Sequence, residues 1–174
     1  MSNQAVDPKV PVNRRKFILT SSSNPEDHGY TREQVMEMLD IVANYDDHEA
    51  FDDPDFVNDI GGFFEEGVCV EKDIEQAVYW YERAIELNND LARSNLADIL
   101  RKGSQGYPKD LPRAFKLYKD CHIPYAYYRV GEFYEHGWGG VEKDLEKAKA
   151  NYRVAYNEGH GLARKKLREF DFLH

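Results

Sequence analysis

Few side chains in this chain of 174 residues are placed to do chemistry. Cys121 and His122 are a thiol and an imidazole side by side, but a nucleophile and its base must meet in space, and the pattern described below turns Cys121 inward. Gly137-Trp138-Gly139-Gly140 has the glycines of a phosphate loop; such a loop follows a strand and leads into a helix with its lysine, whereas this one follows a helical pattern. The stretch from Asp46 to Asp55 concentrates aspartates around His48 and Glu49. Calcium would need a glycine-bearing turn and a bidentate glutamate at a fixed offset, which are absent, and one histidine is a weak basis for a transition-metal site. No Ser-x-x-Lys or comparable nucleophile motif occurs. The sequence therefore points to a protein with no catalytic residues, no metal and no cofactor. The acidic stretch is expected to be a solvated loop or a docking surface for a basic partner.

What the sequence does carry is a repeat. Ala126, Val130-Gly131, Tyr134, Gly137, Gly140-Val141, Asp144, Ala148, Tyr152, Ala155 and Ala163 form a skeleton that recurs upstream. It appears as Ala92, Leu96-Ala97, Leu100, Gly103, Gly106-Tyr107, Asp110, Ala114, Tyr118 and Cys121, and again as Phe56, Ile60-Gly61, Phe64, Gly67, Val70, Asp73, Ala77, Tyr81 and Ala84. The marker aspartates Asp73, Asp110 and Asp144 stand 37 and 34 residues apart, the period of stacked helical hairpins. Small or apolar residues at i, i+4, i+5 and i+8 mark one face of a first helix, which Gly67, Gly103 or Gly137 ends in a left-handed conformation. Each aspartate is placed to cap the second helix, and the alanines and tyrosines behind it form the stripe that packs on the first. No hairpin could bury that stripe alone.

The pattern Ala-x3-Leu-Gly-x2-Tyr-x2-Gly-x-Gly-Val-x2-Asp-x3-Ala-x3-Tyr-x2-Ala resembles the Sel-one-like repeat (SLR), a relative of the tetratricopeptide repeat. The resemblance covers roughly residues 56 to 167 in three in-phase copies, the first with a one-residue deletion in its loop. It implies an all-α, right-handed α-solenoid of about three helix-turn-helix repeats that binds proteins on its concave face and carries no chemistry of its own. The repeats are placed at about 56–91, 92–125 and 126–161. In tetratricopeptide-type hairpins the ligand-facing positions of the first helix lie two before, two after and five after the Leu/Ile/Val marker. Carried over, they are Asn58, Gly62 and Glu65, then Ser94, Asp98 and Arg101, then Tyr128, Glu132 and Glu135, with Tyr125 joining them. This face is polar, acidic and aromatic at one end, which suits a basic segment with an apolar anchor.

Charge supports that expectation. The net charge of −9 is concentrated in residues 31–60, which hold ten acidic residues and one basic. Such a chain is poorly suited to nucleic acid, whose affinity comes from lysine and arginine on phosphates, and better suited to a basic protein surface. Cys121 stands where the other repeats have alanine, as a buried small residue, and Cys69 lies in a loop; the cysteine pairs found in some secreted relatives are missing, so no disulfide framework is expected.

Beyond the repeats, Thr31-Arg32-Glu33-Gln34 is a capping box, and Val35, Met38, Leu39 and Val42 extend it into a capping helix over 31–45. A second capping helix is expected over 162–170, with Ala163 and Leu167 facing inward. Residues 1–30 read as an N-terminal extension, a solvated tail whose Arg14-Arg15-Lys16 could also be a docking arm. Only three apolar residues follow that basic cluster, too few for an export signal, and no run of about 20 apolar residues suggests a membrane span. The chain accordingly reads as cytoplasmic, a monomer or weak homodimer. The favoured function is an adaptor or inhibitor, for example an immunity protein masking a basic toxin. A self-associating structural module and a hydrolase related to the cysteine-rich relatives are the alternatives.

Overall fold

In the computed structural model, described over residues 13–21 and 23–173, eight α-helices follow one another with no strand among them. They are α1 (Arg32–Asn44), α2 (Pro54–Glu66), α3 (Ile74–Glu86), α4 (Asp90–Lys102), α5 (Leu111–Lys119), α6 (Pro124–His136), α7 (Leu145–Asn157) and α8 (Gly161–Leu173). α2 packs on α3, α4 on α5 and α6 on α7 as hairpins, and each hairpin rests mainly on its neighbours in sequence. The architecture is an α-solenoid.

Each hairpin is built by the same local devices. Gly67, Gly103 and Gly137 close the first helices with φ of 78°, 70° and 70°. The following loop then folds back: the amides of Asp73, Asp110 and Asp144 donate to the carbonyls of Phe64, Leu100 and Tyr134 at 2.9, 3.0 and 2.9 Å. From that anchor each aspartate carboxylate accepts the amide three residues on, in Gln76, Arg113 and Lys147, and so opens the second helix. The helices of a hairpin come close because a side chain is missing between them. A Cβ on Gly61 would lie 2.7 Å from the Tyr81 ring, and one on Gly131 would lie 2.6 Å from the Tyr152 ring.

At the N-terminal end α1 begins at the Thr31 capping box, with Gln34 N–H on the Thr31 hydroxyl and Thr31 N–H on the Gln34 side chain. Its Val35, Leu39 and Val42 are fully buried in the same apolar core as α2 and α3. Ahead of it, the stretch expected as a solvated tail is instead fastened down. Leu19 bridges antiparallel to Val70, with Thr20 N–H on the Cys69 carbonyl and Glu71 N–H on the Ile18 carbonyl, both 2.9 Å. Phe17 meets Phe64 edge-on at 5.7 Å. The expected docking arm is likewise occupied at home: Arg14 and Arg15 both pair with Asp46, at 2.9 and 2.6 Å. The rest of that N-terminal extension, residues 1–12, lies outside the described residues.

Candidate functional site

The residues singled out for partner binding lie on the first helices α2, α4 and α6, and most of them are engaged with one another or with the hairpin behind. The recurring element is a tyrosine of the second helix reaching a carboxylate of the first. Tyr81 donates to Glu65 at 2.7 Å, Tyr118 donates to Asp98, and Tyr152 donates to Glu135. A buried phenol must find an acceptor, and the first helix supplies one in each repeat. In the first and third repeats that acid stands four residues after the glycine against which the tyrosine packs. The second repeat has Ala97 in place of that glycine and Arg101 four residues on; there Asp98, one residue after the alanine, is the acceptor.

The three carboxylates differ in what else they touch. Asp98 also accepts from the Tyr125 hydroxyl at 2.9 Å, Lys102 at 2.8 Å and Arg101 at 3.2 Å. Burial works to raise its carboxyl, but the hydrogen bonds from Lys102, Tyr118 and Tyr125 prevail and hold it below the usual range. Glu135 behaves in the same way: burial is outweighed by the Tyr152 hydroxyl and by Lys166 of α8, whose ammonium sits 2.9 Å away. Among the described residues Glu65 forms no ion pair, and burial pushes its carboxyl above the usual range despite the bond from Tyr81. It is the least compensated acid of the face.

Between hairpins the same residues stitch α2 to α4 and α4 to α6. Asn58 accepts from Asn95 at 3.2 Å, and the Glu65 carbonyl accepts from Gln105 at 2.9 Å. Tyr125, through Asp98, joins α6 to α4. Arg129, which the repeat register did not single out, lies over the Tyr125 ring at 4.7 Å and the Tyr128 ring at 5.7 Å, and pairs with Glu132 at 2.6 Å. His160, in the turn before α8, stacks on Tyr128 at 4.6 Å. Burial and the Arg129 charge depress its imidazole. The sequence signal for this cluster was the Tyr125-Tyr128-Arg129 spacing itself, three residues within one helical turn. Asn58, Ser94 and Tyr128 are buried, at 8, 6 and 7% exposure, so they support the face from beneath. Gly62 keeps a gap over the Tyr81 hydroxyl, where a Cβ would stand 3.8 Å away.

The other chemical candidates have structural roles. Cys121 is buried with its thiol on the Asp90 carbonyl at 3.2 Å, and burial pushes the thiol up to about 11. Cys69 is also buried, in a left-handed conformation at φ 58°. The acidic stretch is only partly the solvated loop expected. Asp46 is held by two arginines, Asp53 caps α2, Asp55 accepts from Asn89 at 2.9 Å, and Phe51 between them stacks on Trp80 at 5.8 Å.

A family model described as "Sel1 repeat" matches residues 58–89, 91–119 and 124–160. Among solved structures, the chain is similar to a Sel1 repeat protein from Oxalobacter formigenes, at 25% identity and a TM-score of 0.69, over 85% of this chain and 60% of that one. A protective antigen of uropathogenic Escherichia coli with an SLR fold shares the fold at 20% identity and a TM-score of 0.69, over 86% of this chain and 32% of that one. Helicobacter pylori cysteine rich protein B does so at 18% identity and a TM-score of 0.58, over 80% and 99%. The chain thus spans less than two thirds of the first two. No curated protein matches it.

Proposed function

The chain belongs to the Sel1 repeat family, and from that premise we propose that it is a non-enzymatic interaction module that holds a basic segment of a protein partner along the face of α2, α4 and α6. The family suggests a scaffold for protein–protein interaction. The observation that carries the finer reading is the row of half-buried carboxylates, Glu65, Asp98 and Glu135, each fixed by a tyrosine from the second helix. Acceptors held in place before binding lose little freedom when a cation arrives, and in a partly desolvated setting they attract it more strongly than in water. Asp98 and Glu135 already form ion pairs with lysines, whereas Glu65 feels only the more distant charge of Lys102 and gains most from a partner's lysine or arginine. Tyr125 and the Arg129–Glu132 pair give the other end of the face an aromatic, polar character suited to an anchoring side chain. A small acidic inhibitor that covers a basic protein, as an immunity protein covers a toxin, is the use we favour for such a face.

Calorimetric titration with a lysine- and arginine-rich peptide and with a glutamate-rich peptide of equal length tests this. The basic peptide should bind, weaken as salt rises, and bind several-fold more weakly to Glu65→Gln, which keeps an acceptor for Tyr81. Equal binding of both peptides, or no effect of Glu65→Gln, would overturn it.

A further inference from the structure

Among the described residues, the two ends of the array carry exposed side chains of opposite charge. On α7, Arg153 and Tyr156 are exposed about one turn apart. Val154, Tyr156 and Leu162 are 37, 44 and 62% exposed on this end, and Arg153, Arg164 and Arg168 around them form no ion pair among the described residues. Arg168 stands at the register of Gly61, Ala97 and Gly131, where each of the three repeats keeps a small residue.

At the other end α1 buries Val35, Leu39 and Val42 and exposes Glu33, Glu37 and Asp40 on its opposite side, at i, i+4 and i+7. Glu33 and Glu37 meet no cation among the described residues, and Asp40 meets only the amide of Asn44 at 2.6 Å. One end is thus an acidic helix face, and the other carries exposed arginines with exposed apolar side chains nearby in sequence.

We propose that the basic α7–α8 end docks on the acidic α1 face of a second copy of this chain. The occupant is a second copy because the matching charge is carried by the chain's own opposite end. Such a contact is head-to-tail: each copy keeps one acidic and one basic end free, so association does not stop at a dimer unless the rotation closes a ring. The first-helix face is not part of the contact, so this inference goes beyond the partner-binding function and stands without it.

Sedimentation equilibrium over a concentration series tests it. The weight-average mass of the wild type should climb past that of a dimer at low salt and return toward monomer at high salt. The triple variants Glu33→Lys/Glu37→Lys/Asp40→Lys and Arg153→Glu/Arg164→Glu/Arg168→Glu should each stay monomeric, and their mixture should associate again. All six positions are exposed, and circular dichroism would verify that both variants keep the helical fold. A wild type that is monomeric at every concentration, or a discrete dimer that either variant retains, would overturn the proposal.

Discussion

Gly131 is the residue on which a whole hairpin turns, because the Tyr152 ring occupies the place where its Cβ would be. That ring cannot yield easily, since its hydroxyl is fixed on Glu135 and its edge packs on Tyr128 at 5.4 Å. Gly131→Leu is expected to cost about 1–3 kcal/mol by overpacking, seen as a lowered melting temperature. Gly140→Asn is the control: the glycine is left-handed at φ 78° with nothing within 4 Å, and asparagine tolerates that conformation. The carboxylates make a second prediction, with opposite signs. Asp98 and Glu135 are held below the usual range, so the stability they add is present at neutral pH and is lost as pH falls through their folded values. Glu65 is raised, so its ionised form is a penalty at neutral pH that disappears as pH falls through its folded value and below its unfolded one. Glu65→Gln should therefore be as stable as the wild type or more so at pH 7, and Asp98→Asn less stable, with both differences shrinking in acid. Chemical denaturation across pH would measure them.

The helices as elements were legible in the sequence to different degrees. The aspartates that open α3, α5 and α7, the glycines that close α2, α4 and α6, and the Thr31 capping box all act locally, within three or four residues, and spacing alone locates them. Asp144→Ala should cost about 1 kcal/mol, read from the thermal melt. The pairing of Glu65, Asp98 and Glu135 with tyrosines is not legible from spacing, although both halves of it stand in the repeats. The repeat pattern puts the tyrosines in the packing stripe and the acids at ligand-facing positions, whereas a phenol buried between two helices needs an acceptor on one of them. The clamped segment before α1 was not legible for another reason. Its contacts with Cys69, Val70 and Glu71 span some fifty residues, and Ile18 and Leu19 show no period that would mark an element. Cys69 carried a usable hint, since it occupies the left-handed loop position that Gly106 and Gly140 hold in the other repeats. Hydrogen exchange should find the Glu71 amide protected, and Phe17→Ala should lose that protection before it changes exchange in α6 or α7.

For the molecule as a whole, stability is a sum of hairpins and of the surfaces between neighbours. The core of the first two hairpins is continuous with α1 and reaches α6 through Ala126, Val130 and Phe133, whereas Tyr128, Tyr152, Ala155, Ala163 and Phe170 form a separate cluster under α7 and α8. The last hairpin and α8 are thus held by a smaller apolar cluster of their own. The face of α2, α4 and α6 is, by contrast, cross-linked from one hairpin to the next by Asn58–Asn95, Tyr125–Asp98 and Lys166–Glu135. A face braced in this way can present fixed acceptors to a partner, which is the centre of the functional account. The side-chain carboxyl resonance of Glu65, followed by NMR through a pH titration with and without a lysine- and arginine-rich peptide, tests that centre most directly. The account predicts a midpoint above the ordinary glutamate value in the free protein and a clear fall when the basic peptide is bound. An ordinary midpoint in the free protein, or one that the peptide leaves unmoved, would contradict it.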